Sequence, residues 1–157
     1  SYRATNDRRV LGDCSGSDKH YSFRLADSDS NEVHLFECAI DLLSYATLSK
    51  LSGKDWRQEN LVSLAGVYLP KEKIEDSKTP AAVIKYLADR PDIQKIHIHF
   101  DNLDNDKTGR LCAHTLKELL RNKYEVFDEP PKKGKDYNDY LCIQLGIYQS
   151  KERSYER

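Results

Sequence analysis

Methionine is absent from this 157-residue sequence, the start included. A chain with no initiating Met reads as an excised domain or processed product, so partner domains of a longer protein are expected around it. Cysteine is sparse: the four residues, Cys14, Cys38, Cys112 and Cys142, are far apart. There is no CxxC pair and no histidine at zinc-finger spacing, so neither a zinc finger nor a redox motif can be read from them. Cys38 and Cys112 fall in helix or strand patterns and read as small buried apolar residues in a reducing, cytoplasmic compartment. An excess of charge of either sign is missing too. With a formal net charge of −1, no global field draws the chain to nucleic acid. Binding of that kind must come from a local basic patch or from a metal bridging to phosphate. No apolar run approaches membrane-spanning length, and no signal peptide is visible. The signatures GxxxxGK[ST], GxGxxG and GxSxG are all lacking, which leaves P-loop, dinucleotide-binding and serine-hydrolase chemistry without support.

What is present is a wet but globular composition, 38% hydrophobic and 32% charged, long enough for one domain with a proper core. Residues 1–30 read as an N-terminal strand extension and 31–157 as one compact domain. HYSFRLA (20–26) alternates like a strand, with Tyr21, Phe23 and Leu25 on one face, and the turn DSDSNE could make a hairpin of it with the next strand. VHLFE (33–37) is apolar on both faces, as in a central parallel strand, with Val33, Leu35 and Glu37 on one side and His34 and Phe36 on the other. AIDLLSYATLSKL has helical spacing, with Ile40, Leu43 and Ala46/Thr47 near one stripe and Leu42 beside it. LVSLAGV (61–67) reads as a short buried strand. TPAAVIKYLADRP (79–91) reads as a helix that Pro80 opens and Pro91 stops. IQKIHIHF is a third core strand, TGRLCAHTLKELLRNK a helix carrying Leu111, Leu116, Leu119 and Leu120, and YEVF (124–127) a fourth short strand. YLCIQLGIYQ is a last helix. Strands alternating with helices predict an α/β sandwich with a mainly parallel central sheet of about four strands, helices on both faces and an N-terminal β-hairpin at the edge.

The densest chemistry is in IHIHFDNLDNDKTGR (96–110). An apolar strand runs straight into Asp101, Asp104 and Asp106, then Lys107, Thr108 and Gly109, and then a helix. Three carboxylates in one short turn repel unless a cation sits among them. Hard divalent cations such as Mg²⁺ take such oxygen donors, commonly with substrate phosphates completing the shell, and strand ends are where α/β sheets place their chemistry. Asp, Asn and Gly are also ordinary turn and capping residues. Two further loops are expected at the same end of the sheet: FECAID, with Glu37 and with Asp41 one helical turn on, and GKDYND, with Lys135, Asp136, Asn138 and Asp139. An acid at the end of an apolar strand has no packing value, and Glu37 suits either a helix cap or chemistry.

A glutamate at a strand end before a helix, followed by a later strand ending in a DxD-x-x-G turn, resembles the Toprim domain shared by topoisomerases and primases. FECAIDLLSY resembles its glutamate motif and LDNDKTGR (103–110) its DxD motif. GSDKHYSF (16–23) before and GKDYND (134–139) after are similar to segments of the Toprim-like domains of plasmid and conjugative-element proteins. The resemblance implies a Toprim-like Rossmannoid fold in which Glu37 is the general acid/base and also a candidate metal ligand, and Asp104 and Asp106 hold Mg²⁺ (or Mn²⁺). Asp101 stands at the strand end itself, three residues ahead of the better motif match, and is a third candidate ligand.

In the same context Asp136 would complete the acidic shell and Lys135 would meet a phosphate at the catalytic centre, although KKGK taken alone reads as a solvated loop. Lys19 and Lys107 are further nucleic-acid candidates. His97 and His99 alternate with isoleucine and read as facing a covering helix, because two i, i+2 ligands need a third partner that the sequence does not place. Tyr137 and Tyr140 suit base stacking or plain packing. The resemblance therefore implies a Mg²⁺-dependent module acting on phosphodiesters of DNA, with an RNA primer or nucleotides as further substrates, in a mobile-element replication or transfer protein. Primase-like nucleotidyl transfer and nuclease-like cleavage both use such a site. The alternative is a catalytically degenerate domain that docks DNA or protein. A flavodoxin-like small-molecule protein is disfavoured by the lack of a phosphate-cradling loop after the first strand.

Overall fold

The computed structural model describes residues 2–3, 11–12, 14–25, 28–64, 66–67, 69–102 and 108–147. Two short strands, β1 (Tyr2–Arg3) and β2 (Leu11–Gly12), pair antiparallel at the N-terminus. The chain continues through β3 (Arg24–Leu25), β4 (Glu32–Phe36), α1 (Ala39–Leu51), β5 (Asn60–Ser63), α2 (Ala81–Asp89), β6 (Lys95–His99), α3 (Thr108–Leu120), β7 (Glu125–Asp128) and α4 (Tyr137–Gln144). The main sheet has five strands in the order β3-β5-β4-β6-β7. All neighbours are parallel except β3, an antiparallel edge on β5.

The expected α/β class and mainly parallel sheet are present, and the antiparallel pair at the N-terminus is made by residues 2–3 and 11–12. The 20–26 segment pairs differently from its expected hairpin with 33–37: only Arg24 and Leu25 form strand, and their partners are Val62 and Leu61 of β5. The parallel β5 already occupies that flank of β4 through all four of its residues, so the returning strand can join only at the open edge.

The order of the strands decides which face each helix covers. From β4 the chain steps outward through α1 to β5, then recrosses through α2 to β6 and continues through α3 to β7. Right-handed crossovers made in opposite directions put α1 on one face and α2 and α3 on the other. The strand alternation fits. Val33, Leu35, Ile96 and Ile98 share a core with Ala82, Val83 and Tyr86 of α2 and Cys112, Ala113 and Leu116 of α3. Phe36 and Leu61 pack instead with Leu42 and Ala46 of α1 and Tyr137 of α4.

Helix α1 sits in a different rotation from the one its apolar spacing suggests. Ile40 and Leu43 are 61% and 46% exposed, while Asp41, Leu42, Ser44, Ala46 and Ser49 are buried. Two contacts fix this rotation: Leu42 fills the space over Phe36 and Leu61, and Asp41 turns toward the loop before α4. In α3, Leu116 and Leu120 are buried but Leu111 is half exposed.

Candidate functional site

The reversal of strand order at β4 opens a crevice at the carboxyl ends of β4 and β6, the usual ligand position in such sheets. Phe36 lies opposite His99 in the register, so the chain leaves the two strands side by side at Glu37 and Phe100–Asp101. The backbone N–H of Asp101 donates to Glu37 Oε1 at 3.1 Å, and the Glu37 carbonyl accepts from the Gly66 N–H at 2.8 Å. Together these bonds hold the glutamate at the mouth of the crevice.

Asp41, in the first turn of α1, is buried and accepts a hydrogen bond from Cys38 Sγ at 2.9 Å. Asp136 caps α4, accepting from the Asp139 N–H at 2.7 Å, and its Oδ2 is 2.9 Å from Lys135 Nζ. The β6 exit is tied to this loop by the Asn102 N–H, which donates to the Lys135 carbonyl at 2.6 Å. One carboxylate oxygen each from Asp41, Asp101 and Asp136 falls within 4.8 Å of the others.

Electrostatics reports the crowding. The Asp101 carboxyl is pushed up to about 7, first by burial and then by the charges of Glu37, Asp41 and Asp136, with Lys135 opposing. Asp41 is raised as well, by burial first. The Cys38 thiol is pushed up to about 11 by burial and by Asp41, so it stays a donor. The Lys135 ammonium is engaged with Asp136 and is itself raised by that bond. Three carboxylates brought this close form an oxygen-only donor set for a hard divalent cation, and Mg²⁺ fits it.

Two α3 residues shape the approach. A Cβ at Gly109 would lie 2.9 Å from the Asp101 carbonyl oxygen and 3.0 Å from Glu37 Oε1, so only glycine lets the helix start this close. Arg110 staples the strand exit, donating from Nε to the Asp101 carbonyl at 2.8 Å, from Nη2 to the Phe100 carbonyl at 2.7 Å, and from Nη1 to Asp128 Oδ1 at 2.7 Å.

Among the sequence candidates, Glu37, Asp101, Lys135 and Asp136 come together in this crevice. Lys19 is exposed in the segment leading into the edge strand β3, with β5 between it and β4. Asp104, Asp106 and Lys107 lie outside the described residues. Asp41 joins Asp101 and Asp136 in the crevice, and its position one helical turn after Glu37 is the sequence signal for this. Nothing in the sequence marked Arg110 as a staple.

The Toprim-like family model matches residues 34–141, from within β4 to within α4. The chain belongs to the Toprim-like family. The matched span encloses Glu37, Asp41, Asp101, Gly109, Arg110 and Asp136, so every part of the crevice described above lies in the Toprim-like domain. Comparison with curated proteins and with solved structures gave no match. Toprim domains generally bind Mg²⁺ through acidic residues and act on nucleic acids. Among the described residues, no helix is long and apolar enough to cross a membrane.

Proposed function

We propose that this Toprim-like domain is a Mg²⁺-dependent catalytic module acting on nucleic-acid phosphodiesters. The observation that carries the reading is the convergence of the Asp41, Asp101 and Asp136 carboxylates beside Glu37. Asp41, Asp101 and Asp136 would hold the cation, with Asp104 and Asp106, a few residues further along the sequence, as further ligands. A bound Mg²⁺ neutralises phosphate charge and orients the scissile bond. Glu37 is the general acid/base: fixed through Oε1 by the Asp101 N–H, it takes the proton of an attacking hydroxyl or returns one to the leaving oxygen. Lys135, 51% exposed beside Asp136, meets a phosphate oxygen, and Lys19 and Lys107 extend the contact to the backbone of the nucleic acid.

The plasmid or conjugative-element setting is supported by the order GSDKHYSF, FECAID, LDNDKTGR, GKDYND along the chain. In that setting the domain works in the cytoplasm as residues 31–157 of a larger replication or transfer protein, whose other domains supply the grip on DNA that a net charge of −1 does not.

The test is turnover of single-stranded and duplex oligonucleotides, with and without nucleotides, in Mg²⁺ and in EDTA. Cleavage or primer extension that needs Mg²⁺ and falls about 10²–10⁴-fold in Glu37→Gln is expected. Equal activity in wild type and Glu37→Gln would contradict the assignment. Saturable Mg²⁺ binding without turnover of any substrate would favour the docking-module reading.

A further inference from the structure

The parallel register sets His34 of β4 directly opposite His97 of β6, and both point to the face covered by α1 and α4. Their rings stack at 4.5 Å between centroids with planes 11° apart. Glu32, two residues before His34, shares that face at the amino end of β4, the end of the strand opposite Glu37. This supplies the third partner that the i, i+2 histidines lack in sequence. An imidazole nitrogen from each histidine and a Glu32 carboxylate oxygen lie within 4.8 Å of one another.

Proton accounting shows what these groups present. His99 Nδ1 lies 3.0 Å from the Glu129 carbonyl oxygen and 2.9 Å from the Tyr137 hydroxyl, which itself donates to that carbonyl at 3.1 Å, so a proton on His99 Nδ1 is the arrangement that satisfies all three groups. The His99 ring is held neutral by burial, and its Nε2 must therefore accept. His34 Nδ1, 2.8 Å away, is then the donor. Burial also holds His34 neutral, down at about 3, which leaves a lone pair on its Nε2. His97 Nδ1 is 3.2 Å from Glu129 Oε2, the arrangement in which a carboxylate orients a metal-ligating histidine. Its Nε2 is buried without a hydrogen bond and stands 3.4 Å from Glu32 Oε2. An imidazole lone pair facing a carboxylate is repulsive unless a cation lies between them. The other oxygen of Glu32 is held by Lys95 at 2.7 Å. Glu59 adds a carboxylate that interacts electrostatically with His97 and Glu32, and its Oε2 is likewise buried without a hydrogen bond.

We propose that Glu32, His34 and His97 form a second metal site, separate from the Mg²⁺ crevice, for a borderline divalent ion of the Zn²⁺ or Co²⁺ type. Two neutral imidazoles and a carboxylate are the donor set such ions prefer, whereas Mg²⁺ prefers oxygens alone. To reach Zn–N bonds of about 2.0–2.1 Å the rings must turn out of their stack. Access is from the amino end of the sheet, where the side chains of His97 and Glu32 remain 13% and 32% exposed. The role is structural: the ion clamps β4 to β6 at the end of the strands away from Glu37. A proton on His97 Nε2 is the competing way to fill the same gap.

The test is a Co²⁺ titration of the untagged chain near neutral pH, read by visible d–d absorption. The expected result is a saturable band of four- or five-coordinate intensity at one equivalent. It should be lost in His97→Asn and in His34→Asn, and retained in Asp101→Asn. Glu32→Gln sits at a partly exposed position that does not endanger folding, and it should weaken Co²⁺ by at least about tenfold. Absence of the band from wild type, its survival in folded His97→Asn, or unchanged affinity in Glu32→Gln would each overturn the proposal. A wild type with no band but a protonated His97 ring in NMR would assign the gap to the proton instead.

Discussion

The backbone N–H of Asp101 donates to Oε1 of Glu37 at 3.1 Å, joining the carboxyl ends of the two central strands through an acid side chain. The glutamate thus has a structural duty that an amide can fulfil and an alkyl group cannot. Glu37→Gln keeps an acceptor oxygen and should unfold at the wild-type denaturant midpoint. Glu37→Ala strands the Asp101 N–H and should lose about 1–3 kcal/mol in the same urea titration. Equal stability of the two variants would mean that the bond contributes nothing.

Asp101 links the crevice to pH. Its folded carboxyl, at about 7, lies above the ordinary 3.8 because of burial and the neighbouring acids. The folded chain therefore holds this proton longer than the unfolded chain. The stability this provides is complete below about pH 3.8 and is lost as pH rises through about 7. Metal-free protein should accordingly show a Tm that declines across that window through this group. Saturating Mg²⁺ should flatten the decline by replacing the proton, and Asp101→Asn should flatten it without metal. Thermal unfolding at a series of pH values, with EDTA or Mg²⁺, reads all three. A decline unchanged in Asp101→Asn would place its source elsewhere.

Gly109→Ala sets two effects against each other. Alanine in place of a helical glycine gains about 0.5–1 kcal/mol. Here, however, the new Cβ meets the Asp101 carbonyl oxygen at 2.9 Å and the Asp101 Cβ at 3.2 Å, atoms of the strand exit that cannot swing aside. Overpacking of this kind costs about 1–3 kcal/mol, so net destabilisation is expected, together with weaker Mg²⁺ binding as Asp101 is displaced. Urea unfolding and Mg²⁺ titration of the variant check both, and a stabilised Gly109→Ala with wild-type affinity would contradict the packing described.

Arg110→Lys tests the staple. A guanidinium spans the Phe100 and Asp101 carbonyls and Asp128 at once, and a single ammonium cannot reproduce that fork. A loss of about 1.5–3 kcal/mol is expected in chemical denaturation, with reduced Mg²⁺ affinity because the Asp101 backbone is freed.

Much of this fold could be read from the sequence because its strands are buried on both faces. VHLFE and KIHIH are continuous apolar-and-histidine runs, which led directly to a central parallel pair. The strand-end acids Glu37 and Asp101 likewise stand side by side at the mouth of the crevice. The rotation of α1 was not legible, since Ile40 and Leu43 advertise an apolar stripe that Asp41 and Leu42 override through contacts with residues far along the chain. The same long-range pairing hid the partner of β3, which is set by which edge β5 leaves open. The roles of Asp41 and Arg110 are not legible for a related reason: one meets Asp101 and Asp136, and the other meets Asp128, across gaps in sequence that no local pattern spans.

The account turns on whether Asp41, Asp101 and Asp136 hold one divalent cation. The most direct measurement is a Mg²⁺ or Mn²⁺ titration followed by amide NMR. Saturable changes should cluster at residues 36–42, 101–102 and 134–139, and Asp41→Asn, a position that the DxD motif does not include, should weaken them by at least about tenfold. Changes spread diffusely over the acidic surface, or a site indifferent to Asp41→Asn, would contradict it.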